Sequence, residues 1–209
     1  MCKPPVLGVF VKAPVPGQVK TRLATELGAE RATQLYRRLG RHVVQQVVSA
    51  EYETVVWYAA AGDGSLVRAW LDGLGVSRFV SQAGVGLGNR LPTALAKHFC
   101  EGAPRVVIIG SDCPGVDSRL MAQAFAALGR HDVVLGPAWD GGYYLIGMKE
   151  LHASLFENIA WSSSTVARET QMRARAAGLS CHLLPTLRDV DTLADARAVR
   201  LVPSDPSRR

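Results

Sequence analysis

The sequence has few cysteines, and none of them form a metal-binding or disulfide pattern. Its four cysteines, Cys2, Cys100, Cys113 and Cys181, are scattered and include no C-x-x-C pair. Reduced thiols are therefore expected, and the spacing argues against a zinc site or a disulfide framework. Cys113 lies beside an aspartate, but no histidine is near it in sequence. A small packed side chain is therefore favoured over a nucleophile.

Long apolar runs, linkers and internal repeats are also missing. No segment approaches the roughly 18 apolar residues of a membrane helix, so no membrane span is expected. Lys3 precedes a short strand-like run without a small-residue cleavage site. This argues against a signal peptide and favours a cytoplasmic protein. We expect a single domain over residues 1–203 and a flexible tail over 204–209.

The charge balance is basic, but its pattern does not favour nucleic acid as a partner. The formal net charge is +6 and aromatic residues make up 7% of the chain. The arginines are spread along predicted helices and are not interleaved with aromatic residues, which makes a nucleic-acid-binding surface a weak interpretation. A small anionic ligand suits this charge, as does a mildly basic surface without a function.

Strand-like and helix-like segments alternate along the whole chain. Strands are predicted at 6–11, 53–60, 78–81, 106–110, 132–137, 143–148 and 181–184. Helices are predicted at 21–27, 29–49, 65–74, 89–101, 118–128, about 161–177 and 193–199. This alternation predicts an α/β fold, a three-layer αβα sandwich around a mostly parallel sheet.

The most strongly patterned strand precedes an aspartate. Val106, Val107, Ile108 and Ile109 form a run that is typical of a strand buried on both faces. Asp112 follows just beyond the end of this strand, where open α/β sheets place their ligands. From this stretch alone, a metal ligand and a cap for the next helix are equal alternatives.

The loop after the first strand is rigid and basic. Pro16 and Gly17 exclude regular structure in its middle, and three cations bracket it, at Lys12, Lys20 and Arg22. The P-loop pattern fails because Gly17 is not adjacent to Lys20. A basic loop ahead of a helix start nevertheless suits a phosphate group, and we favour this over solvated surface lysines.

A glycine-rich loop leads into the fourth predicted helix. Its pattern, Gly84-x-Gly86-x-Gly88, is not G-x-G-x-x-G, so a dinucleotide site is not supported. Glycines here would still allow the backbone to approach a base or a phosphate closely. Arg90 lies in the first turn of the helix, where it is positioned to contact an anion.

A second glycine pair precedes two tyrosines. Gly141 and Gly142 follow Asp140 and lead directly into Tyr143 and Tyr144. One interpretation is a backbone that passes close to a ligand between aromatic walls. The other is a tight Asp-Gly-Gly turn without a ligand, and the sequence alone does not separate them.

Two aspartates near the end of the chain are spaced for ligation. Asp189 and Asp191 lie two residues apart, so both side chains point to one side of an extended segment. That geometry suits a divalent metal. Capping of the last helix would account for one of the two aspartates but not for both.

Four motifs occur in a recognisable order and spacing. They are Lys12-x-Pro14-x-Pro16-Gly17-x-Val19-Lys20-Thr21-Arg22-Leu23, Gly110-Ser111-Asp112-Cys113-Pro114, Pro137-x-x-Asp140-Gly141-Gly142-Tyr143-Tyr144-Leu145-Ile146-Gly147 and Asp189-Val190-Asp191-Thr192. With them, residues 5–200 resemble the bacterial family of GT-A glycosyltransferase-like proteins often labelled selenodomain-associated transferases. The chain is more distantly similar to 2-phospholactate guanylyltransferase and to the molybdenum-cofactor guanylyltransferase.

The resemblance implies a nucleotide-diphospho-sugar transferase fold of GT-A type. It implies a nucleotide held across the carboxyl ends of the strands, with Mg²⁺ or Mn²⁺ on its phosphates. Metal ligands would be Asp112, Asp189 and Asp191. The expected nucleotide contacts are Lys12, Pro16, Gly17, Lys20, Arg22, Arg90, Gly141 and Gly142. One departure concerns Gly86, which stands where relatives have an acidic residue and puts the role of that loop in question.

Two transferase hypotheses share this site. One is nucleotidyl transfer from a nucleoside triphosphate and the other is glycosyl transfer from a nucleotide-diphospho-sugar, in each case to a small anionic or hydroxyl acceptor. Three cations in one loop slightly favour a triphosphate. The catalytic residues would be Asp112, Lys20 and Arg22, and Asp140 is a candidate base because no histidine is well placed. The alternative, suggested by Gly86, is a nucleotide-binding protein without turnover.

Overall fold

Strands and helices alternate along residues 3–59 and 63–202, which are the residues that the computed structural model describes. The strands are β1 Val6–Val11, β2 Glu53–Tyr58, β3 Arg78–Ser81, β4 Val106–Gly110, β5 Val133–Pro137, β6 Tyr143–Met148 and β7 Cys181–Leu183. The helices are α1 Thr21–Leu27, α2 Ala29–Val47, α3 Gly64–Leu71, α4 Leu87–Cys100, α5 Ser118–Ala127, α6 Val166–Ala176 and α7 Leu193–Ala198, with a 3₁₀-helix at Ala153–Phe156.

The strands form one seven-stranded sheet in the order β3-β2-β1-β4-β6-β5-β7. β6 runs antiparallel to both β4 and β5, and the remaining neighbours are parallel. β4 lies in the middle of the sheet, and its β-branched residues are buried, as expected for a strand covered on both faces. The prediction of a mostly parallel mixed sheet is confirmed.

Helices cover both faces of the sheet. Alternate strand residues point to opposite faces, so Leu7 and Val9 join one core and Val6 and Ile108 join the other. The first core includes residues of α1, α2, α3, α5 and α7. The second includes residues of α4, α6 and the 3₁₀-helix. This is the three-layer αβα sandwich that the sequence predicts.

One element boundary predicted from the sequence is wrong. A helix was expected to begin at Trp161–Ser164, because serines commonly start helices, but α6 begins only at Val166. Ser162 has a φ of 66°, which lies outside helical geometry, and the preceding segment forms turns. The 3₁₀-helix was not predicted, because four residues are too few to show a period.

Some predictions concern residues that the structure does not describe. The predicted tail at 204–209 and the end of the second strand at Ala60 lie outside the described residues. Within residues 3–59 and 63–202, no helix combines the length and the apolar character needed to cross a bilayer.

Candidate functional site

The loops that carry the predicted site residues meet at one edge of the sheet. β1 and β4 are parallel neighbours, so the loops after them, with Lys12 and Asp112, open at the same edge. The segment with Asp189 and Asp191 joins them through its backbone, since the Val190 N–H donates to the Asp112 carbonyl at 3.0 Å. Val190 is fully buried. The two flanking aspartates therefore face away from the core.

An ammonium group connects two of these loops. Lys20 Nζ lies 2.8 Å from Asp191 Oδ1 and 3.0 Å from Asp112 Oδ1. The Lys20 side chain is only 4% exposed, whereas those of Asp112 and Asp191 are 43% and 41% exposed. Burial by itself would lower the pKa of Lys20, but the two carboxylates outweigh this effect and raise it. Lys20 is therefore a charged group in a largely buried position.

Tyr36 holds the first loop and the Asp112 loop together. Its hydroxyl accepts a hydrogen bond from the Lys12 N–H at 2.9 Å and lies 3.5 Å from Ser111 Oγ. Burial and the negative charge of Asp112 raise the pKa of Tyr36 to about 12, so the phenol stays protonated. Sequence reasoning missed Tyr36. The available signal was a tyrosine with a polar tip on the apolar face of the second predicted helix.

Two cavities adjoin at this edge of the sheet. The first has a volume of about 530 Å³, and its charged lining residues are Lys12, Lys20, Arg22, Arg90, Asp112 and Asp191. The second has a volume of about 460 Å³, and its charged lining residues are Arg22, Asp112, Asp140, Asp189 and Asp191. The two share the wall formed by Arg22, Asp112 and Asp191. One cavity is predominantly cationic and its neighbour is predominantly anionic.

Three of the four cations that line the first cavity are available to a ligand, and the fourth, Lys20, is ion-paired. Within the described residues, Lys12 and Arg22 form no salt bridge, and Arg90 hydrogen-bonds only neutral groups, the Gly84 carbonyl at 3.1 Å and Gln82 Oε1 at 3.3 Å. α1 is short, so most of the attraction for an anion comes from side-chain charges rather than from the helix end. Arg90 lines the first cavity with the other cations, and its contact with an anion stays a prediction.

The carboxylates have the chemistry of a divalent-metal site but are not assembled into one. Oxygen ligands such as carboxylates suit Mg²⁺ or Mn²⁺, and Asp112, Asp189 and Asp191 border the second cavity together. Burial, followed by the charges of Asp140 and Asp191, raises the pKa of Asp189 to about 6. Among the described residues, however, no three His, Cys, Asp or Glu side chains are already gathered around one point. Lys20 lies between two of the predicted ligands.

The helix-capping alternative does not apply to any of these three aspartates. α5 is capped by Asp117, whose carboxylate accepts a hydrogen bond from the Leu120 N–H at 2.8 Å. α7 is capped by Thr192 and Asp195, which form a reciprocal capping box. Asp112, Asp189 and Asp191 therefore cap neither of these helices, and the ion pairs of Asp112 and Asp191 are with Lys20.

Two other predicted contacts lie away from the cavities. Pro16 and Gly17 are exposed at the tip of the first loop and line neither cavity. Their contact with a nucleotide stays a prediction.

Cys113 is a buried residue in the lining of the second cavity. Burial and the nearby Asp189 and Asp112 raise its pKa, so the thiol is held neutral and the packing role is favoured.

Gly141 packs against the protein itself. Its φ is 88°, and a Cβ placed there would lie 2.0 Å from the Ser164 carbonyl oxygen. The Ala167 N–H donates to the Gly141 carbonyl at 2.9 Å, which fixes the turn against the first turn of α6. Gly142 lines the second cavity and donates its N–H to Asp140 Oδ1 at 2.8 Å. Close backbone packing accounts for glycine at 141 without a ligand.

Replacing Gly141 by alanine is expected to destabilise the fold by at least about 3 kcal/mol, because the new methyl group meets a fixed carbonyl in a left-handed backbone conformation. Gly17→Ala is the matched control. Its φ is 78° but nothing lies within 4 Å of the added methyl group. It should cost only about 1–2 kcal/mol. Urea denaturation of both variants measures the difference, and equal losses would contradict the packing argument.

The family described as "Uncharacterized protein conserved in bacteria (DUF2064)" matches residues 28–163. The chain belongs to this family. The matched segment contains Asp112 and Asp140, whereas the first basic loop and Asp189 lie outside it. A solved structure of a candidate nucleotide-diphospho-sugar transferase from Desulfovibrio desulfuricans G20 is 34% identical over 99% of this chain and 91% of that chain, with a TM-score of 0.88. The similarity to this structure therefore covers nearly the whole DUF2064 chain. It includes the first basic loop and the segment with Asp189, which lie outside the family match.

More distant solved structures share the fold of this DUF2064 protein. The 4-diphosphocytidyl-2C-methyl-D-erythritol synthase from Anaerococcus prevotii is 11% identical, covering 95% of this chain and 97% of that chain, with a TM-score of 0.62. The manganese complex of Rv0371c from Mycobacterium tuberculosis is 17% identical, covering 96% and 100%, with a TM-score of 0.56. No curated protein is similar enough to count as a match. The fold is that of nucleotide-using transferases, as the resemblance implied.

Proposed function

We propose that this protein is a metal-dependent transferase whose nucleotide donor places its phosphates in the cationic cavity. The observation that carries the proposal is the arrangement of that cavity, in which the side chains of Lys12, Lys20, Arg22 and Arg90 border the same space as Asp112. A di- or triphosphate carries several negative charges, and clustered cations are the groups that bind it. The manganese named in the Rv0371c structure is consistent with a divalent ion in this fold.

The cations would act on both the bound donor and the transition state. They neutralise the phosphates and stabilise the charge that develops on the leaving group, and losing one such contact typically costs roughly 3–4 kcal/mol of barrier. Asp112, Asp189 and Asp191 would hold Mg²⁺ or Mn²⁺. When bound, the ion would add Lewis-acid neutralisation of the phosphate oxygens. Lys20 would then exchange its carboxylate partners for phosphate oxygens.

Two reactions use the same donor site, and both remain within the proposal. Nucleotidyl transfer releases pyrophosphate from a triphosphate, and glycosyl transfer releases the nucleoside diphosphate of a nucleotide-sugar. Four lining cations are compatible with either polyphosphate. A nucleotide-binding protein without turnover is the competing function. The three aspartates that border the second cavity argue against it, because binding phosphate alone requires no carboxylates. The cytoplasmic location remains a prediction.

Thermal-shift measurements against nucleoside triphosphates and nucleotide-diphospho-sugars, each with and without Mg²⁺ or Mn²⁺, test the proposal. A ligand present at 100 times its Kd should stabilise the fold by about 2.7 kcal/mol. We expect the largest rise in Tm when the metal and the nucleotide are present together. Stabilisation by triphosphates favours nucleotidyl transfer, and stabilisation by nucleotide-sugars favours glycosyl transfer.

Nucleosides without phosphates are the control for this measurement, and they should leave Tm unchanged because the cationic cavity has nothing to neutralise. Equal stabilisation by nucleosides and nucleotides would contradict the phosphate site. So would a complete lack of nucleotide stabilisation with either metal.

A further inference from the structure

The second cavity differs in charge from the first. Of the described residues that line it, Arg22 is the only cation, and four are aspartates: Asp112, Asp140, Asp189 and Asp191. The cavity therefore carries the opposite charge balance to the neighbouring cationic one. If a divalent ion occupies Asp112, Asp189 and Asp191, Asp140 remains as an anion in this cavity, and a phosphate or carboxylate group placed there would still meet its charge at short range.

An aromatic wall and a row of hydroxyl groups complete this cavity. The rings of Tyr143 and Trp161 lie edge to face, with centroids 6.4 Å apart and planes at 77°. Ser162, Ser163 and Ser164 lie beside them in the cavity lining. Aromatic faces pack against the apolar face of a ring, and carboxylates and serines exchange hydrogen bonds with hydroxyl groups. The volume of about 460 Å³ is that of a small-molecule site.

The position of the Trp161 side chain is fixed by its packing on the backbone of α4. A Cβ on Gly88 would lie 2.3 Å from the indole Nε1 of Trp161, so the indole packs directly on the backbone at the start of α4. Asp140 is held in place by the Gly142 N–H at 2.8 Å. The aromatic side and the acidic side of the cavity are thus both anchored by backbone contacts.

We propose that this second cavity is the acceptor subsite and that it takes an uncharged polyhydroxyl compound, such as a sugar or a cyclitol, rather than a phosphorylated or carboxylated acceptor. This inference rests on the proposed function. The cavities share Asp112 and Asp191 as a wall, so an acceptor in one lies next to a donor in the other. An uncharged acceptor also avoids repulsion by the donor phosphates.

The transfer step balances with the groups on this wall. The acceptor hydroxyl oxygen forms the new bond, to the sugar carbon of a nucleotide-sugar or to the α-phosphorus of a triphosphate. The bond to the departing diphosphate breaks and its electron pair leaves with that group. The hydroxyl proton passes to Asp140, the carboxylate of the second cavity that is not assigned to the metal, and from there to water.

The test measures turnover with matched acceptors that differ by one charged group. The donor in every reaction is the nucleotide that stabilises the protein most in the thermal-shift measurement. The pairs are D-glucose with glucose 6-phosphate, myo-inositol with inositol 1-phosphate, and glycerol with glycerol 3-phosphate, and D-glucosamine adds a cation. Chromatography of the released nucleotide reports turnover. We expect at least one neutral member to accelerate release roughly tenfold or more over its charged counterpart.

Two variants separate the acceptor site from the donor site. Trp161→Leu should raise the KM for the neutral acceptor roughly tenfold, because the acceptor loses the indole face on which its ring packs. Nucleotide binding measured without acceptor should change much less. Trp139→Leu is the matched control, since Trp139 is 64% exposed, stacks on Arg188 and does not line the cavity. Asp140→Asn keeps the bond from Gly142. It should lower turnover with every acceptor, because the proton acceptor is lost, and it should reduce the preference against phosphorylated acceptors.

The outcomes distinguish this inference from the function on which it rests. If nucleotides bind but only phosphorylated, carboxylated or cationic acceptors increase turnover, the acceptor inference is overturned and the donor site stands. If none of the acceptors increases turnover, or if Trp161→Leu and Trp139→Leu behave alike, the inference is also overturned. A failure of nucleotides to bind at all removes the proposed function itself.

Discussion

Lys20→Met is expected to lower turnover by roughly 100- to 1,000-fold, the loss typical of removing one charge-assisted contact to a developing negative charge. Methionine keeps the length and the apolar stem of lysine but removes the ammonium group. In the parent, that group sits between Asp112 and Asp191 at 3.0 and 2.8 Å. Steady-state kinetics with the donor found by thermal shift measures the effect.

Lys20→Met should also change the stability of the protein, lowering it without metal and making it more responsive to added metal. Without Lys20, Asp112 and Asp191 face each other with no counter-ion, and the metal-free protein should lose roughly 1–3 kcal/mol, since both carboxylates are partly exposed. Mg²⁺ or Mn²⁺ no longer competes with the ammonium, so metal added without nucleotide should stabilise the variant more than the parent. Titration calorimetry and denaturation with and without metal test both points.

Lys97→Met is the matched control for this pair of effects. Lys97 is 46% exposed and pairs with Glu101 on α4 at 3.0 Å, outside both cavities. A surface pair of this kind contributes about 0–1 kcal/mol. The Lys20 argument fails if the two methionine variants have the same turnover, or if metal stabilises Lys20→Met no more than it stabilises the parent.

Asp112→Ala is expected to remove the metal dependence of nucleotide binding. It should cost only about 1 kcal/mol of stability, because Lys20 keeps its ion pair with Asp191. The Asp112 side chain is 43% exposed and lies at the shared wall of both cavities. Its carbonyl, which receives the Val190 N–H, is unaffected by the substitution. Nucleotide affinity measured with and without Mg²⁺ should differ clearly in the parent and hardly at all in the variant.

Asp117→Ala, five residues further on, is the comparison variant, and it should lose stability but keep metal-dependent nucleotide binding. Asp117 caps α5 through the Leu120 N–H, so losing its carboxylate should cost about 1 kcal/mol of stability. It lines neither cavity, and metal-dependent nucleotide binding should be retained. Equal nucleotide affinity of Asp112→Ala and the parent in the presence of Mg²⁺ would count against the metal site.

Local sequence patterns were sufficient for most of the architecture. A β-branched run such as that of β4 has few folded environments other than a covered strand, and its place in the sheet centre follows. The pattern failed at Ser162, where the side-chain type suggested a helix start. The backbone at Ser162 is left-handed, and two residues later Ser164 packs its backbone closely on the turn at Gly141. Propensity carries no information about that contact.

The site was only partly accessible from the sequence. The two-residue spacing of Asp189 and Asp191 predicts that they lie on one side of an extended segment, and both border the second cavity. The contact of Lys20 with Asp191 joins positions 171 apart in the chain, and no local pattern encodes it. The same applies to Tyr36, whose hydroxyl links Lys12 to Ser111 across two loops.

By itself, the sequence determined the order of strands and helices, the basic first loop and an aspartate at the end of a buried strand, because each of these depends on neighbouring residues. Only the tertiary structure decided that a lysine lies between two of the predicted metal ligands and that one wall divides a cationic cavity from an anionic one. Those features depend on how distant loops converge over the sheet, and that convergence is set by the packing of the whole fold.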